Sequence, residues 1–221
     1  MKRLVSAAAI AACLATAPAS AAVQTLSFDD VSGTPIVTEY LNPFVAKYAN
    51  YGGLSWGPAW AVVDANNECS GFNCGFKNAK TSGAFIATNA FNGAGSLTSP
   101  TPFRLVSIQL GSAWYDPLDI AFVGKLGGAT VWSRNFAVNP FSATLASFPT
   151  GLIDTLEVTP TLRQNSVQVF GLGSGPRMVW DDFTFDTAPV GGVPEPAAWV
   201  LLIAGFGLIG TMARRQRVVA A

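Results

Sequence analysis

The sequence contains no histidine, and only 12% of its 221 residues are charged, against about 25% in an ordinary soluble protein. Histidine is the commonest general base near neutral pH and the commonest metal ligand. Its absence excludes Ser-His-Asp and Cys-His nucleophile systems and histidine-ligated zinc or iron. Other side chains can still carry acid–base chemistry, but we expect a protein that is not an enzyme.

The charges that are present are unevenly distributed. Between Val23 and Val193 the chain carries 8 Lys and Arg against 12 Asp and Glu, a net charge of −4. A mildly acidic domain offers no electrostatic footprint for nucleic acid, so we predict no nucleic-acid partner. Most of the remaining basic residues lie close to the two ends of the chain.

The first 22 residues have the three parts of a secretory signal peptide. Lys2 and Arg3 give a positive start, an apolar stretch follows, and Ala19-Ser20-Ala21 is a small-residue cleavage motif. Cleavage after Ala21 and cleavage after Ala22 fit equally well. We therefore assign residues 1–22 to a signal peptide and expect export across the inner membrane.

Residues 197–213 form an uncharged run of 17 residues, which is the short limit for a transmembrane helix. Three arginines follow this run and would stay cytoplasmic, which places the preceding domain outside the cytoplasm. The run contains GFGLIG, a match to the loop that binds dinucleotides. A nucleotide site also needs a βαβ unit and an acidic residue about 20 positions further on, and neither follows, so we predict no nucleotide.

The C-terminal features occur in a specific order over residues 194–217. A Pro-Glu-Pro tripeptide and a tryptophan precede the apolar run, and arginines end it: Pro194, Glu195, Pro196, Trp199, Arg214, Arg215 and Arg217. This order resembles the PEP-CTERM sorting signal, in its PEPxxW form, of Gram-negative bacteria with exopolysaccharide-rich envelopes. The resemblance implies that exosortase, a membrane-embedded transpeptidase-like enzyme, cleaves near the Pro-Glu-Pro after export.

Two alternatives use the same terminal segments differently. The span at residues 197–213 could be a permanent anchor that is never cut. The sequence Ile10-Ala11-Ala12-Cys13 resembles a lipobox, in which the cysteine would be lipidated. Either alternative would make the chain a permanently anchored envelope protein.

Residues 23–187 show no helical periodicity; instead, short β-rich runs alternate with Gly, Pro, Asn and Ser. We predict ten strands, at residues 24–30, 53–56, 61–64, 84–88, 103–111, 118–123, 129–138, 152–159, 166–170 and 177–186. This spacing predicts an all-β domain, an antiparallel β-sandwich or jelly roll. Residues 188–193 would then be a short linker to the sorting signal.

Two cysteines, Cys69 and Cys74, lie in a Gly- and Asn-containing stretch of this domain. In an exported protein such a pair is expected to form a disulfide. The alternative, a redox or metal pair, needs further ligands that a chain without histidine does not offer.

Paired aspartates occupy the predicted first and last strands, Asp29-Asp30 and Asp181-Asp182. The first and last strands of a sandwich often run side by side, so these pairs are expected to lie close together. Carboxylates at Asp30 and Asp182 would suit calcium, the one cofactor we consider. The alternative, which we favour, is that they accept hydrogen bonds from turn backbone, because no D-x-D-x-D-G loop is present.

Glycans are the remaining ligand class that the sequence suggests. The FDD near the start of the domain and WDDFTF near its end loosely resemble carbohydrate-binding jelly rolls. Candidate platform residues are Trp56, Trp60, Trp114, Tyr115 and Trp132, and candidate glycosidase carboxylates are Asp116, Asp119, Asp154 and Glu157. We expect a non-enzymatic cell-surface or extracellular-matrix protein with exopolysaccharide as a candidate ligand. The alternative is a secreted glycan-active enzyme.

Overall fold

The computed structural model describes residues 22–31, 50–69, 72–171 and 173–187. The predicted signal peptide, except Ala22, and the predicted linker and sorting signal lie outside these residues. Among the described residues no helix is long and apolar enough to span a membrane.

The described residues form 11 strands and two one-turn α-helices. The strands are β1 (Ala22–Leu26), β2 (Asn50–Tyr51), β3 (Leu54–Trp56), β4 (Trp60–Asp64), β5 (Phe85–Asn89), β6 (Gly95–Ser112), β7 (Tyr115–Leu126), β8 (Ala129–Val138), β9 (Thr144–Ser147), β10 (Ile153–Gln168) and β11 (Met178–Thr187). The helices are α1 (Ala65–Glu68) and α2 (Gly75–Asn78).

Strand β6 runs through both layers of the fold. Its first half pairs with β3 and β10, and its second half pairs with β11 and β9. One sheet therefore has the order β4-β5-β11-β6-β9, with β1 also pairing with β11, and the other has the order β2-β3-β6-β10-β7-β8. All of these pairs are antiparallel, which confirms the predicted all-β sandwich.

Aromatic side chains fill the space between the two sheets. Trp180 of β11 stacks on Phe122 of β7, with ring centroids 5.7 Å apart, and also packs against Trp60 at 4.2 Å. All three side chains are fully buried. Every second residue of the facing strands points into this layer, so strand periodicity alone produces a continuous apolar core.

A second, smaller apolar cluster lies on the outer face of the first sheet, beneath the segment 65–84. Phe76 of α2 meets Trp114 edge to face at 5.3 Å. Gly75 allows this close approach, because a Cβ at that position would lie 1.7 Å from the carbonyl oxygen of Ser112. The segment 65–84 therefore acts as a fixed cover on the sheet.

The predicted and observed strands differ at several positions. The first strand ends at Leu26, and Asp29–Val31 form a 3-10 turn, so the placement of Asp29 and Asp30 in a strand is wrong. The turn follows Phe28, whose φ of 64° interrupts the extended backbone. The predicted strands at residues 152–159 and 166–170 belong to one strand, β10, whose register shifts between Leu162 and Val167.

Two further differences concern strands that the sequence concealed. Strand β6 begins at Gly95 rather than at residue 103, so it includes Pro100 and Pro102. The strand can contain these prolines because they lie in an interval without regular pairing, where a missing backbone N–H is tolerated. Strands β2 and β9 were not predicted. Each has four residues or fewer and pairs with only one neighbouring strand.

Candidate functional site

The first and last strands run side by side, as predicted. Strand β1 pairs with β11 in continuous register from Ala22 opposite Thr187 to Leu26 opposite Phe183. This pairing brings Asp29, Asp181 and Asp182 to the turn at residues 81–84, which belongs to the cover over the outer face.

Asp181 is fully buried and holds this turn from below. Its carboxylate accepts hydrogen bonds from the backbone N–H groups of Thr81 at 2.6 Å, Ser82 at 2.8 Å and Asp182 at 2.8 Å, and from two hydroxyl groups. Burial raises the pKa of the Asp181 carboxyl, and the hydrogen bonds from Ser82 and Thr81 oppose that rise. The carboxylate therefore serves as the acceptor for these backbone N–H groups in place of a backbone carbonyl oxygen.

Asp29 holds the other end of the same turn. Its Oδ1 accepts the backbone N–H groups of Ala84 at 2.7 Å and Phe85 at 3.1 Å. The carboxylate lies directly against Gly83, where an added Cβ would come within 1.9 Å of Oδ1. A glycine is thus required at this point for the carboxylate to reach the backbone.

The two residues predicted to bind calcium have separate partners. Asp30 accepts the Tyr51 hydroxyl at 2.5 Å, and Asp182 accepts the Thr81 hydroxyl at 2.8 Å. Burial, followed by the hydrogen bond and charge of Asp30, raises the pKa of Tyr51. The part of the chain that the structure describes contains no group of three or more acidic or cysteine side chains placed to hold a metal ion. Calcium binding at Asp30 and Asp182 stays a prediction.

The predicted disulfide between Cys69 and Cys74 is present, and both cysteines are buried in the smaller cluster. The Lys77 ammonium donates to the Cys69 carbonyl oxygen at 3.2 Å. The bond links the residues next to α1 and α2, so it staples the cover that lies over the sheet.

Three of the four candidate glycosidase carboxylates are occupied by neighbours. Asp119 forms a bidentate pair with Arg163, with both N···O distances at 2.6 Å, and raises the pKa of that guanidinium. Glu157 pairs with Lys125 at 2.6 Å. The third, Asp154, accepts the Gly127 N–H at 2.7 Å, and this bond lowers the pKa of the Asp154 carboxyl.

The candidate platform tryptophans lie inside the protein. Each of the four is buried, and they are distributed between the two apolar clusters: Trp56, Trp60, Trp114 and Trp132. These four candidates therefore belong to the core, since their indole rings fill the layers between chain segments. Among the predicted aromatics only Tyr115 is partly exposed.

Exposed aromatics occur elsewhere. Phe72, between the two cysteines, is 63% exposed. A group of three aromatics also lies at one end of the sandwich, and sequence reasoning missed two of these. Phe141 is 55% exposed and meets the partly exposed Phe170 at 6.2 Å. Phe170 and Tyr115 both pack on the smaller cluster. We call Tyr115, Phe141 and Phe170 the aromatic patch. No sequence signal distinguishes Phe141 from a core phenylalanine, because it lies in a loop without periodicity.

Amide side chains hold the backbone beneath the aromatic patch. Asn139 Oδ1 accepts the Phe141 N–H at 2.9 Å, and Asn78 donates to the Pro140 carbonyl oxygen at 2.9 Å. Gln168 accepts the Tyr115 hydroxyl at 3.3 Å and donates to the Phe170 carbonyl oxygen at 3.1 Å. The aromatic rings therefore project from a backbone that is already ordered.

Fold and site together define an antiparallel β-sandwich domain whose buried carboxylates are structural and which carries the aromatic patch at one end. Beyond this domain, residues 192–217 match the family model of the PEP-CTERM protein-sorting motif. The match confirms the resemblance predicted from Pro194, Glu195, Pro196 and the segment that follows. A motif of this kind indicates export and sorting through the C-terminal segment.

No curated protein matches the chain. Among solved structures, it is similar to a DUF4465 family protein from Bacteroides caccae, with 9% identity over 60% of this chain and 78% of that chain and a TM-score of 0.42. It is also similar to TmCBM61, solved in complex with beta-1,4-galactotriose, with 17% identity over 60% of this chain and 85% of that chain and a TM-score of 0.34. Likeness at these scores says nothing about a ligand of this chain.

Proposed function

We propose that this chain is delivered by exosortase to the cell surface or extracellular matrix, where its β-sandwich acts by binding rather than by catalysis. The match of residues 192–217 to the sorting motif carries the proposal. Six residues, 188–193, separate β11 from Pro194 and can reach at most about 20 Å. That distance leaves room for a membrane enzyme to reach the Pro-Glu-Pro beside a folded domain.

The sorting step is tested by replacing Pro194-Glu195-Pro196 with alanines and following the chain in a host that contains exosortase. We expect the variant to stay uncut in the membrane fraction, whereas the wild-type protein is shortened and released. Pro189→Ala, a proline substitution outside the motif, is the matched control and should be processed normally. Release of the triple variant at the wild-type rate would show that the motif is not what the enzyme recognises.

Binding rather than catalysis is supported by the state of the acidic side chains. Asp119, Asp154 and Glu157 are each engaged with a neighbouring donor, and Asp29 and Asp181 hold a turn. A glycosidase needs two carboxylates free to face a sugar across a cleft. No observation on these residues favours the enzyme alternative.

The ligand that best suits the aromatic patch is a neutral exopolysaccharide. Sugar rings bury their C–H faces on exposed aromatic rings, and Phe141 offers a large exposed ring on an ordered backbone. The net charge of −4 between Val23 and Val193 disfavours acidic polymers at long range. A rigid platform also loses little conformational entropy on binding.

Polysaccharide binding is tested by affinity electrophoresis of the secreted protein in gels that contain the host's own exopolysaccharide. We expect the polymer to retard the wild-type protein and Phe141→Ala to lose most of that retardation. Leu145→Ala, which removes an equally exposed apolar side chain from β9, is the control. If the polymer retards Phe141→Ala as strongly as Leu145→Ala, the binding site lies elsewhere on the protein. If the polymer does not retard the wild-type protein, the glycan proposal is wrong.

A further inference from the structure

The first residues of the exported domain pair directly with its last residues. Val23 of β1 lies opposite Asp186 of β11, and Asp186 in turn lies opposite Arg104 of β6. Directly opposed residues in antiparallel strands have Cα atoms about 5 Å apart and side chains on the same face. The residue at the predicted signal-peptide cleavage site is therefore a cross-strand neighbour of a carboxylate.

That carboxylate lacks a partner on one side. Asp186 is only 8% exposed, and its Oδ2 pairs with Arg104 at 3.3 Å. Its other oxygen, Oδ1, is buried and accepts no hydrogen bond within the described residues. A buried carboxylate oxygen without a donor is costly, since its interactions with water are lost and not replaced. Buried carboxylates usually have a second donor or cation beside them.

We propose that cleavage of the signal peptide after Ala22 creates the missing partner, the α-ammonium group of Val23. Hydrolysis adds one water across the Ala22–Val23 peptide bond. The carboxylate leaves on the signal peptide, and the amine that remains on Val23 takes up a proton. A single amide N–H thereby becomes a cation with three N–H donors, one strand away from Asp186. This inference rests on the proposed export of the chain.

The ion pair distinguishes the two cleavage sites that fit the sequence equally well. Cleavage after Ala21 would leave the ammonium on Ala22, which lies opposite Thr187 instead of Asp186. The charge would then be displaced along the strand by about 3.3 Å, and Val23 would keep an uncharged amide. Of the two sites, only cleavage after Ala22 places the charge on the residue that pairs with Asp186.

The pair also links the stability of the domain to its maturation. Before cleavage, Asp186 has only Arg104, so the precursor lacks one contact between β1 and β11. After cleavage, the α-ammonium of Val23 ties the start of the domain to its end. Cleavage also removes Ala22 and its pairing with Thr187. The processed domain therefore holds an ion pair that offsets this loss and that the precursor lacks.

Two measurements on the full chain test the proposal. The first is the N-terminus of the exported protein, determined by chemical sequencing. A chain that starts at Val23 supports the proposal, and a chain that starts at Ala22 overturns it. A chain lipidated at Cys13 overturns this inference but leaves export intact, whereas an uncut chain that stays in the cytoplasm overturns the proposed export as well, so the two failures are distinguishable.

The second measurement is a double-mutant cycle on thermal unfolding of chains that extend to residue 221. One pair starts at Val23 and the other at Ser20, and each pair carries Asp186 or Asp186→Asn. We expect Asp186→Asn to lower the midpoint by about 3 °C more in the chain that starts at Val23. Asp119→Asn should act equally in both backgrounds and is the control. Equal effects of Asp186→Asn in both backgrounds would overturn the ion pair.

Discussion

The Asp181 carboxylate accepts both the backbone N–H and the hydroxyl of Ser82, each at 2.8 Å. The two residues are 99 positions apart in the sequence. This contact ties the last strand to the segment that covers the outer face, so an acidic side chain that resembles a catalytic candidate organises the fold instead.

Replacing Asp181 with alanine should therefore destabilise the domain. The buried N–H groups of Thr81, Ser82 and Asp182 lose their acceptor, and we expect a loss of about 3 kcal/mol in the free energy of unfolding. Urea unfolding followed by tryptophan fluorescence measures it. Asp119→Ala, which removes an exposed ion pair, should cost about 1 kcal/mol or less. Similar losses in the two variants would show that the buried hydrogen bonds do not matter.

Gly83→Ala should displace the Asp29 carboxylate, because the new Cβ would lie 1.9 Å from Oδ1. We expect a loss of about 3 kcal/mol, since the bonds to Ala84 and Phe85 are broken as well. Gly53→Ala is the matched control: Gly53 also has a positive φ, of 76°, but nothing lies within 4 Å of an added Cβ. Its cost should be about 1 kcal/mol of backbone strain. If Gly53→Ala lowered the free energy of unfolding as much as Gly83→Ala, the loss would be due to the positive φ alone and not to the displaced Asp29 carboxylate.

Tyr51→Phe removes a hydroxyl that donates to Asp30 at 2.5 Å. A hydrogen bond to a charged acceptor contributes about 2 kcal/mol, and we expect a thermal midpoint lower by about 5 °C. Tyr115→Phe removes a hydroxyl with a neutral acceptor at 3.3 Å and should shift the midpoint by less than half as much. An unchanged midpoint in Tyr51→Phe would mean that water replaces the hydroxyl without cost.

Replacing both Cys69 and Cys74 with alanine should cost about 2 kcal/mol, as expected for a cross-link that closes a very short loop. The loss should appear in non-reducing unfolding experiments and should equal the effect of reductant on the wild-type protein. A reductant effect that persists in the double variant would show that the disulfide is not the source of the loss.

Several features of the fold could be predicted because they depend on local sequence. Strand β8 was predicted with its observed bounds, since turn glycines precede it. The disulfide between Cys69 and Cys74 followed from spacing and export. The pairing of β1 with β11 followed from a general property of sandwiches, and with it the meeting of Asp29 and Asp181 at one turn.

Other features could not be predicted, because they depend on contacts between distant residues. Trp114 is covered by Phe76, which lies 38 positions earlier in the sequence. The residues next to Trp114 give no signal that predicts this contact. Phe141 is exposed for the opposite reason, since only one aromatic ring, Phe170, reaches it within the described residues. Both residues lie in short connections between strands, yet Trp114 is buried and Phe141 is exposed.

The sequence by itself identified the sorting motif and the class of fold. Export and sorting signals are linear, and strand alternation depends on backbone geometry that repeats every two residues. Only the tertiary structure decided which carboxylates are free and which aromatics reach the surface. Those properties depend on which distant segment packs against each side chain. Here the relevant contacts come from the cover at residues 65–84 and from the pairing of β1 with β11.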